Sequence, residues 1–376
     1  WNHRIFNILL FPYTSLFLLV LFVHVSILFF RYRNQLPAKI QKSFINLRAE
    51  FFTVFIFGLL VTSILTWQEN DTKKNNRKTT FENLAASQAG YVLSYFQDIE
   101  KFHLAGLANF FESSQYVDRD EFDLYTAALA IDPKTLAWEW IPEIPAHELR
   151  EFEEQTSEEI GSDFKVWELS VDNKPVPVQE REFYYPIYYI NPLIENENVM
   201  GFDIGSETNR KAMLETAFNT RLTTASNPII LVNDIRPQIG ILVTKSIFDR
   251  EKASNQNGYI LVVLRMENLL ESVLSVYGNQ DPFLYIDLIQ LHSDLFPTYL
   301  AGNSPEEIAW AHIRNEHHDH LYSDLTFYQP IFAFGKAYEL IVHPSGSFMS
   351  TYPIQAGWIT AVIGTLFSLL IAGVFY

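Results

Sequence analysis

Residues 199–220 read VMGFDIGSETNRKAMLETAFNT, an apolar run followed by an amphipathic segment. This pattern predicts a strand over 199–206 that leads into a helix over 209–220. The same alternation recurs at 258–266, where GYILVVLRM precedes a predicted helix at Glu267–Val276. Strands interleaved with short helices indicate an α+β domain with largely antiparallel sheets.

The rest of the polar middle segment has the same character. Further strands are predicted over 135–145, 164–171, 181–192, 228–234, 239–248, 284–291, 321–332 and 336–344, and further helices over 119–131, 146–161 and 304–315. Aromatic and apolar residues recur at three- and four-residue steps between Phe81 and Phe110, which predicts a long amphipathic stalk helix. The strands suffice for two sheets, and the loop SNQNG suggests that they divide near residue 255.

Three apolar runs frame this segment: Ile5–Phe30, Phe51–Trp67 and Ile354–Tyr376. A helix of about 20 apolar residues crosses a bilayer core, and each run is long enough or nearly so. The predicted division is therefore as follows: transmembrane helices at 1–30, 51–67 and 354–376, a basic cytoplasmic loop at 31–50, a stalk helix at 69–113, a membrane-distal sensor at 114–255 and a membrane-proximal subdomain at 256–353. We expect a cytoplasmic output domain beyond the last helix.

The basic residues between the first two runs orient the chain. This short segment contains five Lys and Arg residues. Short loops rich in Lys and Arg stay on the cytoplasmic side of the membrane. The polar segment from Glu69 is then extracytoplasmic, in a multi-pass protein of the inner or plasma membrane. From Glu69 onward, 21 basic residues face 43 acidic ones, a net charge of −22 that argues against nucleic-acid binding.

Several kinds of chemistry are excluded or disfavoured. The chain has no Cys, so it forms no disulfide or thiolate metal site. It lacks nucleophile-elbow, phosphate-loop and dinucleotide-binding motifs, so we expect no catalysis in this polypeptide and no cofactor. A cluster of His, Glu and Asp at 312–320 resembles a zinc or nickel site in composition, but it lacks an HExxH pattern and we expect no metal.

Several blocks, taken in order, resemble the CHASE domain: TLAWEWIPEIPAHELREFEE at 135–154, REFYYPIYYINP at 181–192, and VMGFDIGSETNRKAMLETAFNTRLTT at 199–224. The resemblance covers about 80–350 and is strongest over 136–275. CHASE domains are extracytoplasmic sensors of histidine kinases, nucleotide cyclases and cyclic-di-nucleotide enzymes. The resemblance implies a stalk helix, two PAS-like sheets with the ligand in the distal one, and a homodimer.

Five residues are candidates for contact with a small-molecule ligand of unknown identity. The resemblance implies that Asp203 hydrogen-bonds the ligand and that Thr244 is a second polar position. An unpaired buried carboxylate at Asp203 would also be costly, although this residue could instead face solvent or cap the following helix. Tyr185 and Tyr188 belong to an aromatic run that alternates between two faces, and Trp138 could line the same cavity or belong to the core.

Three functions remain open from the sequence. The first is the sensory membrane portion of a receptor with a histidine kinase, or next a nucleotide or di-guanylate cyclase, as output. The second is a membrane protein whose outer domain binds a partner protein and no small ligand. The third, an ectoenzyme that uses the His cluster, requires a metal.

Overall fold

A computed structural model of the chain describes residues 47–231, 238–248, 256–274, 283–293, 296–306, 308–309, 325–353 and 357–374. The predicted first membrane helix, nearly all of the basic loop and the His-rich cluster at 312–320 lie outside these residues. The chain divides into two compact units, one formed by 1–75 with 354–376 and the other by Asn76–Pro353.

Helix α1 (Leu47–Asp98) begins in the first unit and ends in the second. A π-helical segment (Ile99–Leu104) and α2 (Ala105–Ser113) follow it without a break. The predicted stalk helix is therefore present, and its π-helical segment is an addition that the sequence did not indicate. The amphipathic pattern places Phe81, Phe96 and Ile99 in the core because these side chains recur on one helical face.

Among the described residues, two helices are long and apolar enough to cross a membrane: α1, which contains Phe51–Trp67, and α8 (Gly357–Val374). Within the first unit they touch through small residues. A β-carbon added at Gly58 would lie 2.4 Å from Ser368 Oγ, and one added at Gly364 would lie 2.4 Å from Thr62 Cγ2. Such close backbone approach is typical of helix pairs in lipid, where packing replaces the hydrophobic effect.

Most of the described strands of the second unit belong to two larger antiparallel sheets. The first has the strand order β6-β1-β10-β9-β7, with β8 also paired to β9. Its strands are β1 (Thr135–Pro142), β6 (Tyr189–Asn191), β7 (Thr224–Ala225), β8 (Ile229–Leu231), β9 (Gln238–Phe248) and β10 (Gln256–Arg265). The sequences of the central strands are nearly continuous apolar runs, because side chains on both faces of this sheet are buried.

The second sheet has the order β12-β11-β14-β13. Its strands are β11 (Leu284–Leu291), β12 (Thr298–Gly302), β13 (Phe327–Ala333) and β14 (Lys336–Pro344). The α+β class and the two antiparallel sheets are thus confirmed. The predicted division of the sheets near residue 255 is wrong, because β10 pairs along its length with β9 and completes the first sheet.

Short elements complete the unit. They are α3 (Arg119–Thr126), β2 (Ile144–Pro145), α4 (Leu149–Ile160), β3 (Trp167–Leu169), β4 (Pro175–Pro177), β5 (Phe183–Tyr184), α5 (Thr208–Thr220), α6 (Met266–Leu274) and α7 (Gly346–Thr351). The single strand predicted over 181–192 is two short strands, β5 and β6, and a cis peptide bond joins Asn191 to Pro192.

The strand predicted over 199–206 is also wrong. Two short 3₁₀ turns, Glu197–Val199 and Ile204–Ser206, occupy most of it, and only isolated bridges at Phe202 and Asp203 are strand-like. The backbone turns at Gly201, whose φ of +80° favours glycine. The Asp203 side chain then accepts a hydrogen bond from Gly205 N, which stabilises a turn rather than a strand.

Candidate ligand site

The first sheet has two buried faces, which alternate along each strand. One face packs with the long helix and carries Trp138, Val243 and Ile260 in the larger core cluster. The opposite face, which we call the α5 face, carries Ala137, Ile141, Leu242, Tyr259 and Leu261 and packs with Met213, Leu214 and Ala217 of α5. Phe202 and Ile204 also belong to this second cluster, so the Asp203 turn lies against the α5 face.

Asp203 is fully buried, and its carboxylate is held on both oxygens. Oδ1 accepts the backbone N–H of Tyr185 at 2.9 Å and that of Gly205 at 3.0 Å, and Oδ2 accepts Arg181 Nη1 at 3.1 Å. Burial raises the pKa of this carboxyl, while the bonds from Tyr185 and the Arg181 charge act to lower it. Asp203 therefore neither faces solvent nor stands unpaired, and it caps a 3₁₀ turn rather than the following helix.

Arg181 connects Asp203 to a second buried acid. Its Nη2 donates to Glu168 Oε2 at 2.5 Å, and the Glu168 side chain is 5% exposed. Arg181 itself is 24% exposed and comes from the loop before β5. A guanidinium that bridges two buried carboxylates satisfies charges that would otherwise be costly to bury. Neither Arg181 nor Glu168 is among the site residues predicted from the sequence.

Tyr185 lies next to this group. Its hydroxyl donates to Glu143 Oε2 at 3.0 Å, and its ring meets that of Tyr259 edge-on, with centroids 5.8 Å apart. Burial raises the pKa of the Glu143 carboxyl, and the bond from Tyr185 opposes that change. A β-carbon at Gly205 would lie 2.5 Å from Tyr185 Cδ2, so the absence of a side chain at this position lets the ring and the Asp203 turn approach each other.

Glu139 is a further acid on the α5 face. It lies on β1 between Ala137 and Ile141, and its register partners are Leu261 on β10 and Ile190 on β6. The side chain is 4% exposed, and Oε2 has no hydrogen-bond partner among the described residues. Burial raises the pKa of this carboxyl to about 7, against the attraction of Arg210 on α5.

The other three predicted residues differ in position. Thr244 is fully buried on β9, two residues from Leu242 and therefore on the α5 face. Its hydroxyl donates a hydrogen bond to the Ile260 carbonyl at 2.9 Å. Trp138 is fully buried on the opposite face, among the residues that pack with the long helix. Tyr188 packs against that same cluster. The structure therefore brings Asp203, Tyr185 and Thr244 to one side of the sheet and places Trp138 and Tyr188 on the other.

Tyr188 belongs to a separate polar cluster. Its hydroxyl donates to Glu159 Oε2 at 2.5 Å, and Arg119 lies 5.4 Å from its ring centroid while bonding Glu159 Oε1 at 3.0 Å. This cluster borders an open groove of about 1050 Å³, lined also by Trp167 and Met200. No group of His, Asp or Glu within the described ranges is arranged to hold a metal ion.

Residues 115–297 match the family model of the CHASE domain. The fold defines an α+β domain with a long helix and two larger antiparallel sheets. The chain carries a CHASE domain, which confirms the resemblance read from its blocks. Because CHASE domains are extracytoplasmic sensors, this part of the chain is the extracytoplasmic sensor domain of a receptor.

Similar solved structures share the fold only distantly, and no curated protein matches the sequence. An extracellular ligand-binding receptor from Desulfohalobium retbaense has a TM-score of 0.44 and 14% identity, and the match covers 70% of this chain but only 40% of that one. The periplasmic sensory domain of the Campylobacter jejuni chemoreceptor Tlp1 has a TM-score of 0.41 and 13% identity, covering 74% of this chain and 98% of that one.

A third similar structure is the ligand-binding domain of the Pseudomonas aeruginosa amino acid chemoreceptor PctC in complex with GABA. Its TM-score is 0.40 and its identity 10%, and the match covers 71% of this chain and 98% of that one. These likenesses are too distant to carry functional information about the present chain.

Proposed function

We propose that this chain is the ligand-sensing and membrane portion of a transmembrane signalling receptor. Its CHASE domain binds a small molecule on the α5 face and thereby controls a cytoplasmic enzyme, for which a histidine kinase is the first candidate and a nucleotide or di-guanylate cyclase the second. The family match over 115–297 supports the sensor role. The two apolar helices that bracket the sensor support anchoring in a membrane as a multi-pass protein.

The observation that carries the ligand site is the buried charge network around Asp203. Arg181 holds the Asp203 and Glu168 carboxylates on the α5 face, although buried ion pairs contribute little net stability compared with apolar packing. Clusters of buried charges with shifted pKa values concentrate at functional sites. A ligand that donates hydrogen bonds to Asp203 Oδ2 would replace Arg181 there and change the packing of the loop before β5.

Tyr185 and Thr244 complete the proposed site. Tyr185 adds an aromatic ring and a hydroxyl beside Asp203, and Thr244 adds a hydroxyl from the facing strand β9. Trp138 and Tyr188 lie on the other face of the sheet, so the proposal gives them no contact with this ligand.

We further propose that the receptor acts as a homodimer with paired long helices. In the second unit this helix exposes the aromatic side chains of Tyr91, at 40%, and Phe102, at 66%, and a second copy of the chain would cover them. A ligand shifts such an assembly only through its different affinity for two arrangements. The effect of ligand binding would then be transmitted through the long helix to the membrane helices.

The test is a thermal-unfolding screen of the purified chain in lipid nanodiscs against small metabolites. A ligand present at about one hundred times its dissociation constant adds about 2.7 kcal/mol of stability. We expect at least one compound to raise the melting temperature of the wild type and not that of Asp203→Asn. Glu339→Gln, on β14 of the second sheet, is the control and should respond like the wild type.

Two outcomes contradict this proposal. Compounds that stabilise Asp203→Asn as strongly as the wild type would place the ligand away from Asp203. The absence of any stabilising compound, together with capture of a protein partner by the same chain, would favour the alternative of a partner-binding membrane protein.

A further inference from the structure

The position of Glu139 on the α5 face is unusual for an acid. Both neighbouring strands place apolar residues beside it, Leu261 on β10 and Ile190 on β6, and its own strand places Ala137 and Ile141 on the same side. The side chain is 4% exposed, and Oε2 has no hydrogen-bond partner in the described part of the chain. A buried carboxylate oxygen that accepts no hydrogen bond is costly and requires an explanation.

Each cation near this face lies against another acid, although the buried Arg210 Nε makes no hydrogen bond among the described residues. Arg181 bonds Asp203 and Glu168, while Arg210 lies 3.0 Å from Glu207 and 5.0 Å above the Phe202 ring. The ion pairs found among the described residues leave two acids of this region without a cation, Glu139 and Glu143. Glu143 has the Tyr185 hydroxyl as its donor, whereas Glu139 Oε2 has none in that part of the chain. The α5 face therefore has an excess of negative charge.

Two tyrosine rings lie on the same face of the sheet as the unsatisfied acid. Tyr259 is the register partner of Ile141, two residues from Glu139 on the same face of β1, and its ring contacts that of Tyr185. The faces of aromatic rings attract cations, and more strongly where water is excluded. A carboxylate oxygen without a donor, on the same face as two tyrosine rings, suits an organic cation that carries N–H groups.

We propose that the ligand of the α5 face carries a protonated amine, and that this amine donates a hydrogen bond to Glu139 Oε2 while its carbon atoms pack on the Tyr185 and Tyr259 rings. This inference rests on the proposed function, because it names the chemical class of the ligand at the same site. It assigns a binding role to Glu139. A neutral or anionic ligand would leave the excess negative charge uncompensated.

Proton release is the distinctive consequence of this arrangement. Burial raises the pKa of Glu139 to about 7, so below pH 7 an arriving ammonium group must displace the proton from the carboxyl. Binding should weaken about tenfold from pH 8 to pH 6, because alkylamines, like Lys, stay protonated over this range. The other charged or titratable groups of this region are Arg210 and Glu207 from α5, Asp203 and Arg181 from the adjoining loops, Glu168 on β3, Tyr185, Tyr259 on β10, and Glu143 after β1.

The experiment is calorimetric titration of the purified chain in nanodiscs with n-butylammonium chloride, with n-butanol as the uncharged probe of the same shape. We expect the ammonium to bind the wild type and Glu339→Gln, and to bind Glu139→Gln at least tenfold more weakly. Butanol should not distinguish the three proteins. At pH 6, titrations in buffers of different ionisation enthalpy should give nearly one proton released per amine bound to the wild type.

The results separate the two proposals. Equal ammonium affinity in Glu139→Gln, or no proton release from the wild type, would overturn the amine assignment even if the variant folds poorly, because the second measurement uses the wild type alone. In that case, metabolites that stabilise the wild type and not Asp203→Asn would still support the receptor. If no metabolite passes that earlier test, the site itself is in doubt.

Discussion

The backbone N–H of Tyr185 donates a 2.9 Å hydrogen bond to Asp203 Oδ1, and this bond joins the strand region after β5 to the turn before α5. It brings an aromatic side chain and a buried carboxylate together on the α5 face. Because Asp203 also bonds Gly205 N and Arg181, one side chain joins its own turn to the residues on both sides of β5. The stability and ligand response of the sensor should therefore depend strongly on Asp203.

Removal of the Asp203 carboxylate should be costly, and the cost should depend on what replaces it. Asp203→Ala removes the acceptor of two backbone N–H groups and one of the two carboxylates that Arg181 bonds, and we expect a loss of about 3–5 kcal/mol. Asp203→Asn retains an oxygen that can accept from Tyr185 N and Gly205 N, so its loss should be smaller. Urea unfolding of both variants checks this order, and equal losses would show that the backbone bonds to Oδ1 contribute little.

Glu139 should make the folded state less stable at high pH. Its pKa is about 7 in the folded chain and 4.5 without burial, so the folded state holds the proton more tightly. The contribution of this group is fully present below pH 4.5 and is lost as the pH rises through 7, by about 3 kcal/mol. Glu139→Gln should lack this loss, so the variant should gain stability relative to the wild type between pH 5 and pH 8. Parallel stability curves for the two proteins would contradict the assignment.

Two glycines offer a matched pair of substitutions. A β-carbon at Gly205 meets Tyr185 at 2.5 Å, whereas one at Gly90, inside α1, meets no atom within 4 Å. Gly205→Ala should destabilise the chain by about 1–3 kcal/mol through overpacking. Gly90→Ala should instead stabilise it by about 0.5–1 kcal/mol, since alanine favours a helix interior. Denaturation curves that move in the same direction for both variants would refute this reading of the Asp203 turn.

The contact between the two apolar helices can be tested by cross-linking, since the chain has no native cysteine. A β-carbon at Gly364 would lie 3.0 Å from Thr62 Cβ, near the roughly 3.5–4.5 Å of a disulfide. The double variant Thr62→Cys, Gly364→Cys should form an intramolecular disulfide under mild oxidation, seen as a mobility shift on a non-reducing gel. Thr62→Cys with Gly373→Cys is the control, because a β-carbon at Gly373 meets no atom within 4 Å and should give none.

The strands with clear apolar patterns could be predicted from the sequence. The prediction over 336–344 coincides with β14, and the apolar run after Gly258 lies in β10. Both strands are largely buried, so their sequences are mostly apolar and easily recognised. The sheet boundary could not be placed, because a loop between two paired strands looks the same as a loop between two sheets. The π-helical segment Ile99–Leu104 has the same apolar spacing as an ordinary helix.

The candidate site was only partly visible in the sequence. Asp203 and Tyr185 are predicted site residues, but their contact depends on a turn at Gly201 that the apolar run concealed. Glu139 was missed because an acid in a strand is ordinarily assigned to solvent. The alternation of Ala137, Glu139 and Ile141 was the available signal, since it places the acid on the same side as two apolar residues.

The most direct test of the receptor account is a structure of the chain bound to the metabolite that stabilises it most. The account predicts the ligand on the α5 face, within hydrogen-bond distance of Asp203 and in contact with the Tyr185 ring. A ligand in the groove bordered by Arg119 and Glu159, with the Asp203–Arg181 pair unchanged, would contradict it.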